Sequence, residues 1–272
     1  MEQTQKSPVR PYIGTTFLHV KDLRKSAAFY SMMLGLPLLE ERLNGGPIYW
    51  MELEGGTGMI LDDNSVNKQD LDWDESKQHS CMFLTRDIDA AYEHVKNLGA
   101  KMVTERENPH QGLKFFRFRD LDGNVFMVTE SDYQGEPIPV DENRRSPIKN
   151  RIKAVFVNVT DMENAAEWYS NLFGTDAELL GDGPVRNLKT EGGAELLLDS
   201  NRFLQGDDYK ILLMLDTDDV DQAYLYLKEN DVEIFKEIQR YDDVAFFSFK
   251  DPAGNVLMVC QELTCERTQS EG

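Results

Sequence analysis

The chain has 272 residues, is 40% apolar, and carries 29 Lys and Arg against 49 Asp and Glu, a net charge of −20. That length supports a sizeable core and about two domains. The acidity opposes phosphate backbones and anionic lipid surfaces, which argues against nucleic acid and membrane as partners and in favour of a cationic ligand. Three cysteines, Cys81, Cys260 and Cys265, are too few for a disulfide framework and point to a reducing compartment. The first residues have no apolar export core, and no apolar run approaches the ~20 residues that span a bilayer. A soluble, cytoplasmic protein is expected.

In chain order, Ile13 to Val20 is β-branched and aromatic, as a strand should be. Asp22 then caps a helix whose apolar stripe is Leu23, Ala27, Tyr30 and Leu34, with Gly35 as its stop. Strands are predicted at Leu36 to Arg42, Ile48 to Leu53 and Gly58 to Asp62. After an acidic loop, Asp62 to Ser76, come a strand at Ser80 to Thr85, a helix on Ile88, Ala91, Val95 and Leu98, and a strand around Met102 to Glu105. A hairpin closes the half: an aromatic run from Lys114, Asp120-Leu-Asp-Gly-Asn124, and an apolar run to Glu130. Gly123 supplies positive φ there, while Asp120 and Asn124 bond the turn backbone.

The scheme then repeats. Ala154 to Asp161 answers the first strand, and Met162, Ala166, Tyr169 and Phe173 keep the first helix's spacing and stop at Gly174. Glu191-Gly-Gly answers Glu54-Gly-Gly, and Ala245 to Gln261 answers the closing hairpin 131 residues earlier in sequence. The chain therefore reads as four βαβββ units in two pairs, an α+β architecture: a first domain at 13–130, a Pro-bearing linker at 131–150, and a second domain at 151–263.

Paired βαβββ units, the opening Val20-Lys-Asp-Leu-Arg-Lys-Ser-Ala-Ala-Phe-Tyr30 and the two Asp-x-x-Gly-Asn-Val closings resemble the vicinal oxygen chelate superfamily of glyoxalases, bleomycin-resistance proteins and extradiol dioxygenases. The resemblance implies that each pair of units curls into a cup with helices outside. In the superfamily's enzymes the cup holds a divalent metal, with ligands from the first strand, a middle strand and the last. Carried over, those places fall on Thr15, Cys81 and Met127 with Asp62, and on Ala154, Leu212 and Met258 with Asp199. One carboxylate beside thioether, methyl and hydroxyl groups is a poor donor set for a divalent cation. No cofactor is therefore expected.

Alternation along the strands adds Phe17 and His19 to the face of Thr15, Phe83 to that of Cys81, Phe156 and Asn158 to that of Ala154, and Met214 to that of Leu212. All four histidines, His19, His79, His94 and His110, lie in the first half. A displaced metal site on His19, His79 and Asp62 is the alternative, and it would make the chain a glyoxalase-like lyase or a dioxygenase. His94 is expected in solvent and His110 in a loop, and Cys81 also reads as a small buried hydrophobe. The leading expectation is a metal-free module of the bleomycin-resistance type, monomeric or dimeric, that sequesters a small cationic or aromatic molecule. A degenerate interaction scaffold is the third reading.

Overall fold

The computed structural model describes residues 7–65, 78–121, 123–131, 137–139, 146–174, 179–180, 183–206, 209–252 and 254–263. The first half contains β1 (Val9–His19), α1 (Leu23–Met33), a 3-10 turn (Glu40–Arg42), β2 (Ile48–Met51), β3 (Gly58–Asp62), β4 (Cys81–Thr85), α2 (Ile88–Asn97), β5 (Lys101–Met102), β6 (Glu107–His110), β7 (Leu113–Arg119) and β8 (Val125–Ser131). The second contains β9 (Ile148–Asn158), α3 (Met162–Phe173), β10 (Leu179–Leu180), β11 (Val185–Leu188), β12 (Gly192–Gly193), β13 (Glu195–Asp199), α4 (Asn201–Gln205), β14 (Ile211–Thr217), α5 (Val220–Glu229), β15 (Ile234–Arg240), β16 (Val244–Lys250) and β17 (Val256–Glu262).

Each half builds one curled mixed sheet. The main strand orders are β2-β3-β1-β4-β8-β7-β5 and β10-β11-β13-β9-β14-β17-β16-β15. The four helices that follow opening strands start alike: Asp22, Asp87, Asp161 and Asp219 each accept a bond from the backbone N–H three residues on. The strand predicted at Leu36 to Arg42 does not form. Leu36 N–H donates to the Ser31 carbonyl at 2.8 Å and Leu39 N–H to the Tyr49 hydroxyl at 3.0 Å, so this backbone is satisfied by a helix end and a side chain. The acidic segment 66–77 and Cys265 lie outside the described residues.

The first helix of each half packs on the hairpin of the other half. Phe83, Phe118 and Phe126 of the first sheet meet Phe173, Trp168 and Tyr169 of α3 at ring-centroid distances of 5.2, 6.1 and 6.2 Å. In return, Phe29 of α1 lies 6.3 Å from Phe249. Two buried phenols complete the exchange: Tyr30 donates to Asp251 at 2.9 Å and Tyr169 to Asp120 at 2.6 Å. Those aspartates belong to the turns at Gly123 (φ 86°) and Gly254 (φ 95°), a conformation glycine adopts without strain. The turn asparagines also cross over, Asn124 Nδ2 donating to the Asn158 carbonyl at 2.8 Å and Asn255 Nδ2 to the His19 carbonyl at 3.0 Å.

A third contact joins the Glu-Gly-Gly turns. β12 runs parallel to β1, pairing Gly192 with Tyr12 and Gly193 with Ile13. A Cβ on Gly193 would sit 2.6 Å from the Thr57 hydroxyl oxygen, which explains glycine at that close approach. His94 was expected in solvent but is half-buried, its Nε2 lying 3.0 and 3.1 Å from the Asn171 and Leu172 carbonyls at the end of α3. It therefore satisfies carbonyls that the ended helix leaves open.

Candidate functional site: two unlike cups

In each sheet one face packs on helices and the other is concave. The row that the resemblance associates with metal runs straight across four adjacent strands. In the first half Thr15 stands beside Met82, Met82 beside Met127, and Met127 beside Arg117. In the second half Ala154 stands beside Met214, Met214 beside Met258, and Met258 beside Ser248.

This register corrects two expected residues. Cys81 and Phe83 point away from the first cup: both are fully buried, and Phe83 packs between Phe126 and Phe173. The residue that faces the cup is Met82, as Met214 does in the second half. The resemblance places the position on Cys81 and alternation carries Phe83 with it, but the pairing of β4 with β1 sets Met82 opposite Thr15. Burial pushes the Cys81 thiol up to about 12, which suits an inert core residue.

The first cup presents Thr15, Phe17, His19, Asp62, Met82, Met127 and Arg117. The His19 ring is engaged at both nitrogens, Nε2 lying 2.9 Å from the His79 carbonyl and Nδ1 3.0 Å from Asn64 Nδ2. Asp62 accepts from the Asn64 N–H at 2.7 Å. The displaced set of His19, His79 and Asp62 therefore does not converge as ligands, and among the described residues no three His, Cys, Asp or Glu side chains group in a metal-binding arrangement. The residues present do not fit a divalent metal in either cup. The rows supply thioethers, two hydroxyls and a methyl group, and Arg117 adds a positive charge.

The second cup encloses a cavity of about 490 Å³. Of the second-half residues expected from the sequence, Phe156, Asn158, Asp199, Met214 and Met258 line it, whereas Leu212 packs against the main core, because β14 carries a register shift between Ile211 and Met214. Ala154, Phe156, Met214, Met258 and Cys260 form an apolar floor, with Val185, Leu197, Ile211, Val244 and Phe246 packed against it. Burial raises the Cys260 thiol to about 11, so it too is held as a thiol. The Asn158 amide and the Ser248 hydroxyl, both in buried residues, are polar groups of the lining. Asp199 accepts from the Asn201 N–H at 2.8 Å.

The sequence reading missed the rim. Tyr209, Lys236, Glu237, Gln239 and Tyr241 stand there with Arg202 of α4. Lys236 donates to the Tyr209 hydroxyl and sits 4.5 Å from that ring's centroid, while Tyr241 stacks on Phe246 at 5.8 Å and 17°. Asp199 and Glu237 are balanced by Arg202 and Lys236, so the chain's net negative charge is not concentrated in this cavity.

Two segments of the chain, 12–128 and 151–259, match the family model described as Glyoxalase/Bleomycin resistance protein/Dioxygenase superfamily. The uncharacterized protein YetH of Bacillus subtilis (strain 168) is 27% identical over 121 residues, which is 43% of this chain and 97% of that protein. Among solved structures, the Mn(II)-bound glyoxalase of Novosphingobium aromaticivorans aligns with a TM-score of 0.60 at 17% identity, covering 95% of this chain and 84% of that one. The 2,3-dioxygenase LapB of Pseudomonas sp. KL28 aligns at 0.59 and 14%, covering 94% and 93%. At such identities the structural likeness speaks for the fold alone. No described helix is long and apolar enough to cross a membrane.

Proposed function

The chain belongs to the Glyoxalase/Bleomycin resistance protein/Dioxygenase superfamily, and on that premise we propose that it binds a small aromatic molecule, neutral or zwitterionic, in the second cup without metal. The observation that carries this reading is the cavity itself: about 490 Å³ falls within the range of ligand pockets, and it combines an apolar floor with a few polar groups. Phe156, Phe246, Met214 and Met258 offer apolar and ring contact, which favours flat ligands. Asn158 and Ser248 offer hydrogen bonds to a polar substituent on such a ring, and the rim charges cancel.

Metal chemistry of the kind named for the Novosphingobium enzyme is a poor fit, because a Lewis acid needs several hard donors and an open position. Ala154, Met214 and Met258 supply none. A thermal-shift screen of aromatic amphiphiles on the full chain tests the reading. Hits should raise the melting temperature equally with EDTA and with Mn²⁺, should weaken at least ten-fold in Asn158→Leu and Phe156→Ala, and should be recovered chemically unchanged. Hits that bind only with Mn²⁺, or that are converted, would replace sequestration with catalysis.

A further inference from the structure

The two cups share one backbone plan, and at three of the facing positions where they differ the nitrogen content of the side chain changes. Where the second cup has Ser248 beside Met258, the first has Arg117 beside Met127. Counting three residues back from Met214 and Met82 sets His79 against Ile211, and the parallel ends of β9 and β1 set His19 against Asn158. Each change adds nitrogen to the first cup.

Arg117 faces that cup because its neighbours Phe116 and Phe118 are fully buried on the opposite, helix-covered face. The His79 ring lies over the same concave face, 4.1 Å from the Phe17 ring and 6.1 Å from that of His19. His79 is only 7% exposed. Its Nδ1 and Nε2, together with Arg117 Nε, are buried without a hydrogen-bond partner. Folded proteins rarely leave such groups unmet, and an unbound partner is a standard reason when they do.

We propose that the first cup is a second, chemically distinct site that takes a small oxyanion, a carboxylate or a phosphate, held between His79 and Arg117. Arg117, whose Nη2 lies 3.6 Å from a Glu107 carboxylate oxygen, supplies charge and the unpartnered Nε–H, and His79 supplies a ring N–H. Phe17, Met82 and Met127 would receive an apolar body attached to the anion. A metal cation is disfavoured by Arg117, and His19 is already engaged by Asn64 and the His79 carbonyl. Asp62, the carboxylate of this cup, accepts the Asn64 N–H. The net charge of −20 does not forbid the site, since distant charges are screened beyond ~8 Å at physiological salt. His79 is held neutral mainly by burial, with further contributions from His19 and Arg117. A bound anion would favour its protonated form.

The inference is independent of the second cup. It is tested on the full-length protein by calorimetry and by NMR of the His79 ring, using benzoate, its neutral analogue benzamide, and inorganic phosphate. Benzoate should shift the His79 resonances and bind at least ten-fold more tightly than benzamide. Arg117→Gln should abolish that preference, Arg117→Lys should retain part of it, and the exposed-surface variant Lys21→Gln should leave it intact. Phosphate binding with the same dependence on Arg117 would assign a compact oxyanion without an apolar body. Equal affinity for benzoate and benzamide, or unmoved His79 resonances at millimolar concentrations of both anions, would overturn the proposal.

Discussion

The phenol of Tyr30 offers a test of how the halves are joined. Its hydroxyl donates to Asp251 at 2.9 Å in a fully buried setting, and Asp251 also accepts from the Asn255 backbone and side chain, each at 2.8 Å. In Tyr30→Phe the carboxylate keeps those two donors, so the loss should be that of one hydrogen bond to a charged group, about 2 kcal/mol at pH 7. Burial first, then the Asp251 charge and hydrogen bond, hold the Tyr30 hydroxyl well above its ordinary value of 10. The unfolded chain therefore loses this proton before the folded one does. Stability from this group is complete below pH 10 and declines above it by about 1.4 kcal/mol per pH unit. Phenylalanine has no proton to lose, so the ~2 kcal/mol gap between wild type and variant should shrink to roughly 0.6 kcal/mol at pH 11. Urea unfolding at pH 7, 9, 10 and 11 measures that gap, in which titrations common to both proteins cancel. A gap that stays constant or widens with pH would refute the buried phenol–carboxylate pair.

His79 should govern the acid side. Because its folded-state value lies well below 6.5, its contribution is present above pH 6.5 and is lost as pH falls, with a limiting slope of about 1.4 kcal/mol per pH unit. His79→Phe should flatten the stability curve between pH 4 and 6.5, and an unchanged slope would place His79 in solvent. Added Mn²⁺, Fe²⁺, Ni²⁺ or Zn²⁺ should leave the melting temperature of untagged protein unmoved, and one tightly held equivalent by elemental analysis would contradict the donor-set argument. Limited proteolysis should cut between β8 and β9, ahead of Ile148, before other internal sites, and because Tyr30 of α1 and Tyr169 of α3 bond to the opposite half, the two fragments should co-elute in gel filtration. Separate elution of folded halves would show that the exchanged helices contribute little.

Much of the fold was legible because its signals are local. Apolar spacing of 4, 3, 4 with an Asp before it and Gly after it specifies α1 and α3 from their own residues, and the Asp-x-x-Gly-Asn turns need only their own side chains and one positive φ. Repetition then made four units in two pairs readable without any long-range contact, while the family resemblance implied the cups and, with strand alternation, the residues of β9, β13, β14 and β17 that line the second cavity. The strand proposed at Leu36 to Arg42 failed because nothing local revealed that Tyr49 and the end of α1 would take its backbone bonds. Within a strand, alternation relates Cys81 to Phe83, but it does not say which face is concave. That phase comes from pairing, where β1 carries an irregularity between Ile13 and Thr15 and sets Met82, not Cys81, beside Thr15. The contacts by which α1 and α3 reach the other half were likewise invisible, since Tyr30 and Asp251 are 221 residues apart. The sequence determined what the elements are and which residues share a face; only tertiary packing decided which face closes on a helix and which is left open as a cup, because a hydrophobic face specifies burial without naming its partner.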